Sequence, residues 1–502
     1  MTKEILVNVE PREVRVAVVQ DKKLVDFFVE RKDAQQLVGN IYKGKVTAVV
    51  PGIGASFVDV GLEKNGFLYV SDVTAPPPEL EDDILPEIEN NAKRSKTKPQ
   101  SIEEKLKVND TVLVQIVKEP LGRKGARLTT HISLPGKHIV LMPNDPHIGI
   151  SRRIDNRAER MRIKSILEQL KIPSGMGVIV RTAGEKAEHQ EFERDLRYLL
   201  KTWERIFRLA KKAPIPFLLH EESDLITRML RDVFTDGIGN VFIDSRDEYK
   251  KALRFTNYFA HNLRGKLHYY REDIPLLGKM GIEREVDKLY KRVVQLKSGG
   301  YIVIEQTESL VSVDVNTGKF IGGAGKHRKS LEETAFVVNK EAAEEIARQI
   351  RLRNLGGIII IDFIDLESRE HRDKVFHILQ EALKEDKAKM KMYPFSQFGL
   401  VEMTRERRRQ SIESVFYEEC PYCQGRGHVK SLSTMANEVL RKLRQYLNEK
   451  KSRRVSLFVH HELQQKLLKE YWRFIKDIER RYRARIEIKT EPNLHIEDIK
   501  LQ

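Results

Sequence analysis

Residues 310–318 read LVSVDVNTG, and residues 357–362 read GIIIID. In the first stretch apolar and polar residues alternate, as they do along a strand with one buried face. Val311, Val313 and Val315 would face a core, and Ser312, Asp314 and Asn316 would share the opposite, polar side. The second stretch starts on the second of two glycines and runs through four isoleucines to Asp362, a pattern read here as a buried strand over 358–362. Between them, residues 331–353 repeat apolar side chains at Leu331, Ala335, Val338, Ala342, Ile346 and Ile350, the three-to-four spacing of an amphipathic helix. Strand, helix, strand makes an α/β layer with an aspartate at each strand end. Two such carboxylates repel unless a cation lies between them. Oxygen donors of this kind suit magnesium, and the arrangement is what metal-assisted phosphodiester hydrolysis requires. The alternative is a pair of solvated strand-end acids. Asp365, three residues beyond Asp362, would face the other side of a continuing strand and is a weaker candidate.

Working outward, residues 301–306 form a strand turning tightly into 310–316, and a helix follows at about 369–386. Residues 1–35 and 39–73 are β-rich, and strands resume at 111–117. Residues 126–186 are again β-rich, with a helix near 156–171. The pattern predicts helix over 187–235, a strand at 241–245 and helices over 246–297. Residues 75–107, opening with a proline run and mostly charged, read as a mobile insertion in a barrel loop. Residues 431–502 read as a small α/β domain.

The chain has 502 residues, enough for several domains, and 90 Lys and Arg against 74 Asp and Glu give a formal net charge of +16. That surplus favours polyanions. The N-terminus has no apolar block, and no stretch approaches the ~20 apolar residues of a membrane span. Two cysteines exclude a disulfide framework and fit a reducing cytoplasm.

Three further features carry chemistry. Phe57 and Phe67 lie in glycine-flanked strands with Lys43, Lys45 and Lys64 nearby, the interleaving by which OB-type barrels stack bases and meet phosphates. Both phenylalanines could equally be core. Cys420-Pro-Tyr-Cys423-Gln-Gly-Arg-Gly427 reads as a metal knuckle whose glycines admit backbone amides to the thiolates. Zinc takes four ligands, so His428 or another residue completes the set, or, as favoured here, a second chain brings its own pair. A thioredoxin-type redox pair is the alternative, against which the GxG tail argues. Arg405, Arg407, Arg408 and Arg409 crowd one segment and would either track phosphates or coat a solvated face.

Together, SVDVNTG (312–318), EEIARQIRLRNLGGIIIIDFIDL (344–366), FGLVEMTR (398–405) and CPYCQGRG (420–427) resemble the ribonuclease E/G family over nearly the whole chain. The resemblance implies a multidomain α/β (α+β) architecture. Residues 1–38 and 227–290 would be two parts of a ribonuclease H-like domain, interrupted by an OB-fold barrel at 39–130 and a 5′-phosphate sensor region at 131–226. A deoxyribonuclease I-like catalytic domain at 291–416, a zinc link at 417–430 and a small dimerisation domain at 431–502 would follow. It implies Asp314 and Asp362 as catalytic magnesium ligands, oriented by Asn316. It implies Phe57, Phe67, Lys118 and Lys124 as RNA contacts, and Arg181 and Thr182, lined by Gly136 and Val140, as the sensor. Cys420 and Cys423 would share zinc between the protomers of a homodimer, with a dimer of dimers left open. The implied activity is magnesium-dependent cleavage of single-stranded, A/U-rich RNA to 5′-phosphate and 3′-hydroxyl products, stimulated by a 5′-monophosphate, in ribosomal RNA maturation and messenger RNA turnover. Rival readings are a non-enzymatic RNA-binding or ribosome-associated factor and a metal-dependent phosphodiesterase acting on DNA.

Overall fold

The computed structural model describes residues 3–31, 37–74, 84–86, 101–120, 124–234, 237–307, 309–318, 331–386, 388–407 and 411–502. Two compact units, Met1–Ile412 and Glu413–Gln502, divide the chain.

Among the described residues the first unit carries four sheets. Strands Lys3–Val9, Glu13–Gln20 and Lys23–Arg31 form an antiparallel meander, extended by Ile238–Ile243 and Leu267–Tyr269 running parallel to Lys3–Val9. The helices Leu225–Asp232 and Arg246–Phe259 contribute to the core beneath it. Next comes a barrel of Ile41–Val50, Ala55–Asp59, Gly66–Tyr69, Arg127–Thr129 and Thr111–Lys118, closed where the first and last of these pair antiparallel. A third sheet joins Leu134–Pro135, Ile139–Met142, Gly177–Val180 and Ile148–Ser151, with helices Arg157–Gln169 and His189–Lys212 in the same core.

Two expectations change here. The predicted helix over 187–235 is interrupted by Phe217–His220, which adds a strand to the barrel sheet beside Ile41–Val50. Leu267–Tyr269 and Val293–Gln295 are short strands inside a segment read as helical. Phe217–His220 and Leu267–Tyr269 pair with strands distant in sequence, which local pattern does not carry, while Val293–Gln295 pairs with the nearby Tyr301–Gln306. Most of the charged segment 75–107, including its expected mobility, lies outside the described residues. Within it, Ile84–Pro86 pairs antiparallel with Ile148–Ser151, and Ile102 and Leu106 are buried in the barrel core.

The fourth sheet positions the candidate site. Its order is Val293–Gln295, Tyr301–Gln306, Leu310–Asn316, Gly357–Asp362, Leu400–Arg405 and Met390–Met392. All neighbours are antiparallel except Leu310–Asn316 and Gly357–Asp362, which run parallel. Parallel strands need a crossover, and helix Leu331–Leu352 supplies it. Both strands therefore end at the same edge. Val311, Val313, Val315, Ile359, Ile361, Val401 and Met403 bury one face with helices Leu331–Leu352 and Arg369–Leu383. The other face carries Ile358, 51% exposed, with Asp314, Asp362 and Glu402 also exposed. The isoleucine run is thus buried on one side only; an apolar run does not reveal how many faces are covered. A one-residue slip would exchange the valines for Asp314, forfeiting about 1.5–3 kcal/mol for each valine exposed, so the register is firmly set.

The second unit packs helices Leu432–Lys450, His461–Glu470 and Trp472–Tyr482 with a sheet of Arg485–Thr490, Arg454–Val459 and Lys500–Leu501.

Candidate active site and nucleic-acid interface

Asp314 and Asp362 are direct register partners across the parallel pair. Asn316, next on the same face of its strand, donates from Nδ2 to Asp314 Oδ2 at 2.7 Å. One carboxylate oxygen is thereby oriented and the other left available. Partial burial, then the charges of Asp314 and Asp365, raise the Asp362 carboxyl above its ordinary value. Strand parity had weighed against Asp365, but the strand ends at Asp362, so parity does not govern the loop beyond it. Crowded carboxylates short of proton or cation fit a divalent ion. Among the described residues no cluster of three or more His, Cys, Asp or Glu forms a metal cage. A two-carboxylate set suits magnesium, which keeps much of its water shell.

The loop after Asp362 is pinned from the crossover helix. Asn339, fully buried, donates to the Ile364 carbonyl at 2.7 Å and accepts from the Ile364 amide at 3.0 Å. Glu332 accepts from the amides of Glu367 and Ser368 and pairs with His371 at 2.7 Å. Arg405 corrects the reading of the arginine run. It is buried, donating to Asp386 at 2.7 Å, to Asn354 at 3.1 Å and to the Leu355 carbonyl at 2.7 Å. It braces the sheet and cannot track phosphates. Arg407 donates to the Gly356 carbonyl; Arg408 and Arg409 lie outside the described residues.

On the barrel, Ser56, Val58, Leu68 and Leu128 are fully buried, so alternation turns Phe57, Phe67 and Arg127 outward. Phe57 is the register partner of Phe67, Phe67 of Arg127, and Arg127 of Lys118, which an irregularity after Ile116 brings into line. Two rings and two cations therefore form one row across four strands, and neither phenylalanine is core. Two residues of this surface escaped the sequence reading. Tyr69 stands edge-on to Phe67 with centroids 5.3 Å apart, and the Arg127 guanidinium lies 5.6 Å from the Tyr69 ring centroid. Buried Asp72 fixes Arg127 at 3.0 and 3.1 Å. Arg127 comes from a strand far along the chain, so only the register reveals it. Lys124 is exposed in the preceding loop, outside the row. Lys43, by contrast, donates to the Ala213 carbonyl at 2.8 Å and is engaged in the fold.

The four residues expected at the sensor belong to one neighbourhood. Arg181 Nη1 donates to the Gly136 carbonyl at 2.6 Å. Thr182 is exposed, with Oγ1 3.5 Å from Ser151 Oγ, and Val140 is half-buried opposite Ile179. Gly136 is required: a Cβ there would lie 2.4 Å from Asp195 Oδ1. Burial raises the Asp195 carboxyl, while the amides of Lys137, His138 and Ile139 donate to it at 3.2, 2.7 and 3.0 Å, fixing this loop.

In the second unit the Cys420–Cys423 segment is a run of turns, with no helix opening on it, unlike a thioredoxin redox pair. The Cys423 and Tyr422 amides and the Cys423 thiol hold the Cys420 thiol below its usual value. Gly427, at φ +72°, turns its amide onto Cys423 Sγ at 3.3 Å. The thiols thus have the amide donors that stabilise thiolates bound to a metal. Exposed His428 joins no cluster of three or more potential ligands among the described residues.

Comparison with known proteins finds three domain matches. Residues 36–131 match the S1 RNA binding domain, residues 133–408 the ribonuclease E/G family, and residues 419–502 the RNase E/G thioredoxin-like domain. The small C-terminal α/β domain is therefore thioredoxin-like in fold. Ribonuclease G of Haemophilus influenzae is 40% identical over 489 residues, covering 97% of this chain and 96% of that protein. Ribonuclease G of Escherichia coli K12 is 42% identical over 445 residues, 88% of each chain. Ribonuclease E of Haemophilus influenzae is 37% identical over 493 residues, 98% of this chain but 51% of that longer protein. With the paired strand-end aspartates, the outward aromatic row and matches along nearly its full length, the chain belongs to the ribonuclease E/G family.

Proposed function

We propose that this endoribonuclease hydrolyses single-stranded, A/U-rich RNA to products with 5′-phosphate and 3′-hydroxyl ends, in ribosomal RNA maturation and messenger RNA turnover. The observation that carries the reading is the register pairing of Asp314 with Asp362, with Asn316 bonded to Asp314. Magnesium held by these two carboxylates would supply Lewis acidity toward the phosphate and a more acidic water. Asn316 keeps Asp314 in one rotamer, and the Asn339 clamp keeps the Asp362 loop in place. Phe57, Phe67 and Tyr69 offer faces for base stacking, while Lys118, Arg127 and the more distant Lys124 meet backbone phosphates. The +16 surplus favours RNA encounter and makes binding salt-dependent.

Arg181 and Thr182, with Gly136 and Val140, bind a 5′-monophosphate in preference to an internal diester, because a guanidinium and a hydroxyl match a terminal dianion. Cys420 and Cys423 hold half a zinc site that a second chain completes, giving a homodimer that could pair again. Reduced thiols fit a cytoplasmic protein, and no helix among the described residues is long and apolar enough to cross a membrane. The ribonuclease H-like and deoxyribonuclease I-like descriptions of the two α/β regions rest on the family resemblance.

The test is digestion of a short, 5′-monophosphorylated, A/U-rich RNA and the matching DNA, with and without magnesium. Internal cuts in RNA alone, abolished by chelation and leaving ligatable 5′-phosphates, are expected. Cleavage that survives chelation, or cyclic-phosphate ends, would contradict the metal-assisted hydrolysis. Cys420→Ser is expected to halve the mass in light scattering; an unchanged dimer mass would refute the zinc link.

A further inference from the structure

Arg181 sits at one end of a chain of alternating charges. Its Nη1 lies 2.7 Å from Asp232 Oδ1. The same carboxylate is gripped from its other side by Arg231, with Nε 3.0 Å from Oδ1 and Nη2 3.1 Å from Oδ2. Arg231 Nη1 in turn donates to Glu222 Oε1 at 2.8 Å and to the Pro135 carbonyl at 3.3 Å. The order is therefore Arg181, Asp232, Arg231, Glu222. The two arginines hold the adjacent carbonyls of Gly136 and Pro135.

The two ends differ. The Arg231 and Glu222 side chains are each only 10% exposed, while Arg181 and Asp232 keep 27% and 33%. Glu222 is anchored further, its amide donating to Asn40 Oδ1 at 2.8 Å. The buried end is thus fixed and the Arg181 end reaches solvent. Although burial opposes it, the charges of Arg181 and Arg231 hold the Asp232 carboxyl below its ordinary value, so it is ionised at neutral pH. A guanidinium tied down at Nη1 keeps Nε and Nη2 as a planar fork for two phosphate oxygens. Because Arg231 shares Asp232, the carboxylate orients Arg181 without cancelling its charge outright.

We propose that Asp232 is a positioning residue for 5′-monophosphate recognition, presenting the Arg181 fork to the terminal phosphate and tying it to the Gly136 loop. The inference rests on the sensor reading of Arg181. The helix-end pair Arg231 and Asp232 makes the link rigid, so the preference for a phosphorylated end depends on a residue that need not touch RNA.

The experiment compares kcat/KM on matched 5′-monophosphate and 5′-hydroxyl RNAs for the full chain, Arg181→Ala, Asp232→Asn and Asp232→Glu. Asparagine keeps the shape, and Arg231 keeps Glu222, so folding is expected to survive; thermal unfolding checks this. Asp232→Asn is expected to lower the monophosphate-to-hydroxyl ratio by about tenfold, the scale of one charge-assisted hydrogen bond. The rate on 5′-hydroxyl RNA stays within about twofold, and Asp232→Glu, which keeps the charge, retains part of the ratio. If Arg181→Ala erases the preference while Asp232→Asn leaves it intact, or lowers both rates together, the positioning role is wrong and the sensor stands. If Arg181→Ala leaves the ratio unchanged, the sensor reading fails and this inference fails with it.

Discussion

The Asp314–Asp362 pair and the Phe57–Phe67–Arg127–Lys118 row use one device for opposite ends. Each is a line of side chains brought abreast by strand register from separate strands. On the proposed reading the barrel row would spread a modest attraction over several stacking faces and charges, so losing one member would weaken the grip by a share. At the strand ends two like charges are forced together, and the partial burial and repulsion that raise Asp362 make the pair receptive to a cation. Removing either acid takes away the whole arrangement. The difference teaches that register alone does not define a site; what matters is whether the aligned groups act additively or as a unit.

That contrast can be broken or sharpened, beginning with the largest effect. Arg405 and Asp386 are paired at 2.7 Å with side chains only 4% and 6% exposed, Arg405 closing the strand Leu400–Arg405 that pairs with Gly357–Asp362. Arg405→Ala strands the Asp386 charge and is expected to cost about 3–5 kcal/mol in denaturant unfolding. A change below about 1 kcal/mol, the range of exposed pairs, would mean that Arg405 is solvated after all.

Next in size are Phe57→Ala and Phe67→Ala. Each is expected to weaken single-stranded RNA binding by about 1–3 kcal/mol, and far less to disturb folding than Leu68→Ala, which opens a core cavity costing about 2–5 kcal/mol. Denaturation showing both phenylalanine variants as destabilised as Leu68→Ala, with unaltered RNA affinity, would make them core residues and dissolve the row.

The smallest effect concerns charge. In metal-free protein the Asp362 carboxyl titrates above an ordinary aspartate, because burial and then Asp314 and Asp365 oppose its ionisation. Removing a negative neighbour favours the ionised form, so the midpoint moves down. Carboxyl resonances followed by NMR are expected to show this for Asp314→Asn and, less, for Asp365→Asn. A midpoint that rises or stays put in both would remove the electrostatic coupling on which the cation argument depends.

How much of this was legible in the sequence follows from how local each signal is. Alternation in residues 310–316 and the amphipathic helix read over 331–353 put Asp314 beside Asp362 from the sequence alone, because period and connectivity are local properties. Phe57 and Phe67 were found through their glycine-flanked strands, but their orientation was not, since alternation gives two faces without saying which is inside. Arg127 was missed because its membership depends on pairing between distant strands, whereas Tyr69, two residues beyond Phe67 on the same strand, shares its face by alternation and carried a local signal. Arg405 was misread for the same reason: an arginine in a charged run looks solvated until Asp386 and Leu355 are seen around it. The strand Phe217–His220 owes its existence to the barrel edge it joins. Asp232 carries no local motif; only its approach to Arg181 and Arg231 marks it.

The most direct test of the central claim pairs cleavage with binding for Asp314→Asn and Asp362→Asn, using a short 5′-monophosphorylated, A/U-rich RNA and magnesium. Both variants are expected to bind RNA as the unaltered chain does, because the barrel row is untouched, and to lose about a thousandfold or more in cleavage, the several kcal/mol that metal-ion catalysis supplies. Variants that cut as well as the unaltered chain, or that lose RNA binding together with cleavage, would contradict the account.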